Sequence, residues 1–397
     1  MIVVGGSYTE SVIYPSRTSA FMGSGLRAAD VLEDQVELLI TMATIEEASV
    51  INDRGISARL VYRPNPVHFE YLDPSLRPDV MGLPVPVAIP AVSQPGGDVL
   101  AFGLAEAPNG YDVSARRVVF DPQAPGSLQP DVLERIDADS LTVCANRAEA
   151  RLLTGLNSPM EAASALLDMP RVNAVVVKCG ALGYVVADET QTLWRHAQPS
   201  LYVNSLGSGD IFSSVFAREW FADASIFDAA ERANMEVSRR AGGAGARHLS
   251  SPALHPGYSP KVYLAGPFFT LGERWLVDRA RAALDGLGAR VFSPIHDVGP
   301  GGIEVAQIDL DALDDCDVVL ALLDGFDPGT IYEAGWAARE NIPIVGFSSE
   351  NHPKEAKMLV GMGAEIHDDL TSAMYRAIWA GQGLKLTPGI HSERHRT

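Results

Sequence analysis

The stretch "CDVVLALLDGFDPGTIYEAGWA", Cys316 to Ala337, decides the fold class. Its first half is apolar on consecutive residues, as a strand buried on both faces must be. The second half opens what reads as a helix. A strand that runs through a short turn into a helix is the repeating unit of a parallel α/β sheet. Thr330 and Glu333 stand three apart, the spacing of a helix capping box, so Glu333 is either a cap or a carboxylate that does chemistry.

The same grammar recurs on both sides of this stretch. Ten short β-rich runs punctuate the chain: "MIVVGG", "VELLITMA", "VLAFGL", "RVVFDP", "LTVCAN", "AVVVKCG", "KVYLAGP", "RVFSPI", "VVLALLD" and "IPIVGF". Helical patterns such as "DAAERANMEVSRRAGG" and "RWLVDRARAALDGLG" lie between many of them, which implies α/β layers with largely parallel sheets. With 397 residues, 47% of them hydrophobic, the chain is long enough for more than one core and for two or three domains. "HLSSPALHPGYSP", His248 to Pro260, is rich in Ser, Pro and Gly without periodicity and reads as a linker. The expected organisation is a first domain over 1–250, a linker over 251–260, a smaller domain over 261–385 and a polar tail over 386–397.

The formal net charge of −19 repels nucleic-acid backbones and anionic membranes, so neither is an expected partner. A small phosphorylated substrate remains compatible, because local amide nests override global charge. Three scattered cysteines, Cys144, Cys179 and Cys316, form no CxxC pair; they read as buried small hydrophobes and suit a reducing cytoplasm. "MIVVGGSYTE" reads as a first strand, not a signal peptide, and no apolar run approaches the ~20 residues of a membrane span.

In "NSLGSGDIFSSVF", Asn204 to Phe216, three small residues precede an apolar helix. The backbone N–H groups of Gly207, Ser208 and Gly209 can converge on one anion at the positive end of the helix dipole. Asp210 is either a general base beside that nest or a simple N-cap after a glycine turn. "GSGLRAADVL", "VVFDPQ", "NRAEARLLTG", "VVVKCGALGYVV" and "NSLGSGD" occur in this order, and together they resemble the ribokinase-like (PfkB) sugar and nucleoside kinases across most of residues 1–250. The resemblance implies a ribokinase-like three-layer fold that uses ATP and Mg2+. It implies an anion hole at Gly207 and Gly209, Asp210 as catalytic base, Asn146 and Glu149 helping to place Mg2+ and phosphate, and Gly23 and Gly25 beside the sugar. The chain departs from the family at Asn204, where an acidic residue is usual, and in "GSGLRAA", which lacks the usual Asn after the glycine pair; Glu10 is the nearest counterpart of the early substrate Asp.

In the smaller domain Asp324, Asp327 and Glu333 crowd within ten residues, and Tyr263 lies on its first strand. Like charges at one site raise each other's pKa and cost stability, which points to function. The order "KVYLAGPFF", "RVFSPIHDVGPGG", "DLDALDDCDVVLALLDG", "DPGTIYEAGWA" resembles the nucleoside 2-deoxyribosyltransferase family, with its smaller Rossmann/flavodoxin-like fold, across roughly 261–350. The resemblance implies Glu333 as nucleophile, Asp327 positioning substrate, Asp309 binding or protonating the base, Tyr263 orienting Glu333, and Gly266 and Gly329 close to the ligand, with no cofactor for glycosyl transfer. It also implies a homo-oligomer. Asp311, Asp314, Asp315 and Asp317 read as a solvated helix end, and no metal site is expected from the residues themselves. His296 reads either as a substrate contact or as a structural hydrogen bond, and Trp275 and Trp336 as packing. The expected function is cleavage or transfer of an N-glycosidic bond in a (deoxy)nucleoside or nucleotide, fused to a kinase-like domain acting on the nucleoside or the freed sugar. The rivals are a nucleotide N-glycosidase with an inactive kinase-like domain, and a non-catalytic nucleotide-sensing module.

Overall fold

Each of the ten apolar runs lies on a strand. The computed structural model describes all residues except 85, 124–127, 129, 243–256, 351–352 and 393–397. Six of these strands, with Tyr184–Asp188, Thr192–Arg195 and Ala58–Tyr62, build a nine-stranded sheet in the first unit. It is parallel apart from one edge, where Tyr184–Asp188 and Thr192–Arg195 pair antiparallel. A separate four-stranded sheet, Thr18–Met22, Tyr8–Val12, His68–Tyr71 and Asp79–Met81, supplies Glu10 and the segment that walls the glycine nest.

The second unit is a six-stranded, all-parallel sheet in the order Arg290–Phe292, Lys261–Ala265, Val318–Leu322, Ile344–Phe347, Glu365–His367, Gly389–His391. Every residue of Val318–Leu322 is buried, as its unbroken apolar run requires. The stretch read as a polar tail, 386–397, is corrected in its first part, and its residues 393–397 lie outside the described residues. Gly389–His391 pairs in register with Glu365–His367 and forms the edge strand of the sheet. Of the expected linker, residues 251–256 lie outside the described residues. Beyond them Tyr258 donates its hydroxyl hydrogen to Asp317, and the Lys261 N–H donates to the same carboxylate at 2.6 Å.

The two units have separate sheets but share an apolar core. Two hydrophobic clusters belong to one unit each, while a third runs from Val4 and Leu182 through Trp379 to Val262 and Leu320. The joint is the helix Leu370–Gly381, in which every residue from Leu370 to Ala380 is buried. One side packs on its own sheet at Val318–Leu322 and Ile344–Phe347, and the other meets the Gly180–Leu182 turn of the first unit. Polar bonds cross the joint as well. Trp379 donates its indole N–H to the Ala181 carbonyl at 2.8 Å, Ser372 accepts from the Val203 N–H at 2.8 Å, and Thr371 donates to Asp73 at 2.7 Å. Arg376, fully buried on this helix, is held by Glu365 at 2.5 and 2.8 Å. Burial opposes the Glu365 charge, but bonds from Arg376 and His367 prevail and pull its pKa to about 2.

The joint sets the first prediction. Trp379→Ala removes a buried aromatic and its hydrogen bond, and should lower whole-chain stability by about 3–5 kcal/mol. Urea unfolding followed by circular dichroism reads the change, and a loss below about 1 kcal/mol would contradict a shared core.

Candidate functional site

Counted from Lys261, the strands of the second unit run 2-1-3-4-5-6, so the order reverses between Lys261–Ala265 and Val318–Leu322. Ligands of open α/β sheets bind beyond the carboxyl ends of the strands at such a switch point. The helix Pro328–Arg339 starts there. Its N-cap is Asp327, whose Oδ2 accepts from the Thr330 N–H at 2.8 Å and from the Thr330 hydroxyl at 3.1 Å. The capping-box reading of Thr330 and Glu333 is therefore corrected. Thr330 is already the third helical residue, and Glu333 lies almost a turn further in with no capping bond.

Glu333 Oε1 instead accepts a hydrogen bond from the Tyr263 hydroxyl at 2.7 Å. Tyr263 is fully buried, and its ring stacks on Phe292 at 5.4 Å, so the hydroxyl is held in place. Burial raises the Glu333 pKa to about 7; the Tyr263 bond opposes the rise, and the charges of Asp309 and Asp327 add to it. Asp309, on the helix Ile303–Asp314, has a buried Oδ1 without a hydrogen-bond partner, and burial raises its pKa. Glu333, Tyr263, Asp309 and Asp327 are thus brought together. Asp324 is not: its Oδ1 accepts from the Ser349 N–H at 2.7 Å and from the Ser348 hydroxyl, tying the turn to the next strand. Gly266 lies against the Leu322 side chain, and the missing Cβ of Gly329 leaves room for the capping Asp327 carboxylate.

The surrounding residues are structural. His296 bonds Ser293 and Asp278, Trp336 donates to Asp314, and Asp315 pairs with Lys261. Among the described residues no three His, Cys, Asp or Glu side chains are grouped to hold a metal ion. Trp275 departs from the packing expectation, since 39% of it is exposed.

In the first unit the nest opens the helix Ser208–Phe221. Its N-cap is Gly207 at φ 69°, where a Cβ would also strike the Arg27 guanidinium. Asp210 is therefore not the N-cap. Its Oδ2 accepts from Arg27 at 2.5 Å and its Oδ1 from the Gln123 amide, while Arg27 also bonds Glu10 at 2.5 Å. Burial would discharge Arg27, but Asp210 and Glu10 prevail and raise its pKa. Behind Gly209, Lys178 bonds Asp121 at 2.5 Å and Ser213 at 3.2 Å. Burial would discharge Lys178 as well, and Asp121 counters it. Arg27, Gln123, Asp121 and Lys178 were not singled out in the sequence. The signals were the motifs themselves: "VVFDPQ" carries Asp121 and Gln123, "VVVKCG" carries Lys178, and "GSGLRAA", which lacks the usual Asn, carries Arg27.

A cavity of about 500 Å3 joins this nest to Glu10, Gly23, Asn146 and Glu149. Gly25 is a correction: its backbone presses on Gly5 and Gly6, and it serves packing. Asn146 and Glu149 form the reciprocal capping box of the helix Arg147–Thr154. That geometry fits Mg2+ only together with substrate phosphates, the usual mode of a cation that keeps one or two carboxylates.

Residues 262–374 match the family model for nucleoside 2-deoxyribosyltransferase, and residues 105–246 match that for pfkB family carbohydrate kinase. Both a transferase-like and a kinase-like unit are therefore present. An uncharacterized protein of Schizosaccharomyces pombe, C191.05c, is 29% identical over 122 residues, which cover 27% of this chain. The chain spans 58% of the length of that curated relative. Among solved structures, ribokinase from Thermotoga maritima is 15% identical with a TM-score of 0.45, over 62% of this chain and 93% of its own. A fructokinase from Vibrio cholerae O395 is 17% identical with a TM-score of 0.45, over 60% and 93%.

The environment of Glu333 predicts a pH-dependent stability. Its folded pKa of about 7 lies above the ordinary 4.5, so the folded state is penalised for the charged form. The penalty is complete above about pH 7 and vanishes toward pH 4.5. Glu333→Gln should therefore melt above the wild type at alkaline pH, with the gap closing as the pH falls. An equal gap at both pH values in differential scanning calorimetry would contradict the desolvated carboxylate.

Proposed function

We propose that this chain, which joins a pfkB-type kinase-like unit to a nucleoside 2-deoxyribosyltransferase-like unit, cleaves the N-glycosidic bond of a (deoxy)nucleoside or nucleotide through Glu333. The observation that carries the reading is the pairing of Glu333 with the Tyr263 hydroxyl at 2.7 Å, at the switch point of the sheet. A Glu333 oxygen attacks the anomeric carbon while the bond from that carbon to the base nitrogen breaks, and the bonding pair leaves with the base. Asp309, whose buried Oδ1 has no hydrogen-bond partner, takes up a proton and passes it to the departing nitrogen. Water or the nitrogen of a second base then attacks the glycosyl ester and restores the carboxylate, giving hydrolysis or transfer. Asp327 adds charge beside the forming oxocarbenium while its Oδ2 stays on the cap.

In the first unit, the nest and Asp210 support phosphoryl transfer from ATP to a sugar or nucleoside hydroxyl, with Asn146 and Glu149 placing Mg2+. Arg27 or Gln123 must first yield an Asp210 oxygen to the acceptor. Exposed Phe269, Leu271, Ile303 and Tyr332 on the transferase-like unit favour association of two copies. Three buried, free cysteines suit a reducing cytoplasm.

Two measurements test the reading. Cleavage of a nucleoside panel, followed by mass spectrometry of products, should be lost in Glu333→Gln, because an amide cannot form the ester. The wild-type rate should rise with pH through about 7, and Tyr263→Phe should move that midpoint upward, since the Tyr263 bond lowers the Glu333 pKa. Retained cleavage in Glu333→Gln would overturn the assignment. In the first unit, Asp210→Asn should lower acceptor-dependent ATP consumption by about 10²–10⁴-fold. A variant that consumes ATP as the wild type does would remove Asp210 from the chemistry.

A further inference from the structure

Among the described residues, two cavities besides the nest cavity border the joint between the units. One, of about 100 Å3, is closed by Tyr375 and Trp379 of the buried helix against Asn234 and Ser238. It falls below the ~300–1,000 Å3 of ordinary ligand sites. The other is a cleft of about 980 Å3 between the segment Glu70–Asp79, the start of the helix Arg147–Thr154 and the helix Leu271–Leu287. It shares Pro78, Asn146, Lys178 and Gly180 with the nest cavity.

The second-unit wall of this cleft is one helical face. Trp275, Arg279, Ala282, Ala283 and Gly286 recur at three- and four-residue spacing and line it, while Val277, Ala280 and Leu284 turn into the core. The small residues keep this wall low, and a Cβ on Gly286 would meet nothing within 4 Å. Trp275 stands at its open end with the Arg279 guanidinium 5.5 Å from its ring.

The charge of the cleft runs against that of the chain. Acids outnumber bases by 50 to 31, yet Arg77, Arg147 and Arg279 all line this cleft with no carboxylate partner among the described residues. Arg147 Nη1 is buried without a hydrogen bond, against the bare Gly288 at the end of the Leu271–Leu287 helix. The facing acids are Glu70 and Asp79, and Lys178 is already committed to Asp121. Arginine presents a planar fork suited to phosphate, and a half-exposed indole offers a stacking face.

We propose that this inter-unit cleft is a nucleotide-binding site, with the phosphate held by Arg147, Arg279 and Arg77 and the base laid against Trp275. The site is distinct from the Glu333 carboxylates and stands or falls independently of bond cleavage there. It is tested by isothermal titration calorimetry of the full chain with adenosine, guanosine, cytidine and uridine 5′-monophosphates, the matching nucleosides and inorganic phosphate. At least one nucleotide should bind more tightly than its nucleoside and than phosphate. Arg279→Glu and Arg77→Glu, both at exposed positions, should each weaken it by about tenfold or more at an unchanged melting temperature. Trp275→Ala should weaken nucleotide binding and leave phosphate binding as it was. Glu333→Gln should retain the wild-type affinity. Absence of nucleotide binding, or affinity unmoved by both arginine reversals, would overturn the proposal, as would binding lost in Glu333→Gln alone.

Discussion

The helix Leu370–Gly381 has no side facing solvent, and the rest of the architecture depends on that constraint. A helix buried all round needs apolar neighbours on every face and a partner for each polar atom it carries inward. Its own sheet fills one face and the Gly180–Leu182 turn the other. Arg376 is tolerated because Glu365 neutralises it, and Trp379 because a carbonyl of the other unit takes its N–H. The units are thereby fixed against one another. That placement narrows the cavity beside Ser238 and makes the Leu271–Leu287 helix one wall of the cleft that adjoins the nest cavity.

The two candidate centres use opposite electrostatic strategies. In the second unit a carboxylate is desolvated beside two others and held by one tyrosine hydroxyl, so its charge is costly. In the first, Asp210 is already compensated by Arg27, and Arg27 by two carboxylates. The proposed acceptor of the first unit would have to rearrange this network. The proposed substrate of the second would meet a carboxylate whose pKa burial raises to about 7.

The strands that carry these centres were legible because parallel sheets bury both faces and leave unbroken apolar runs, as in Val318–Leu322. The remaining strands were not, for a physical reason. Thr18–Met22 and His68–Tyr71 are half exposed, and Glu365–His367 and Gly389–His391 span three residues each with polar side chains. Asp210, Glu333, Tyr263 and the nest glycines were singled out from their spacing and from the family resemblances, and the structure sets Tyr263 against Glu333 and Asp210 beside the nest. Arg27 and Lys178 escaped because a buried cation declares itself only through the acids packed around it, and those come from distant strands. Asp324 misled for the converse reason: proximity in sequence to Asp327 does not place its carboxylate beside Glu333, because the turn points it at Ser349. The shared core was invisible too, since no local pattern in "LTSAMYRAIWAG" states what covers its second face.

The central claim is that Glu333 forms a covalent bond to the sugar, and the direct measurement is rapid acid quenching of the reacting protein followed by peptide mass spectrometry. The account predicts a peptide spanning Glu333 that is heavier by one glycosyl unit, formed before free base reaches its steady rate and absent from Glu333→Gln. Release of base without any adduct on that peptide, or an adduct on a different carboxylate, would contradict it.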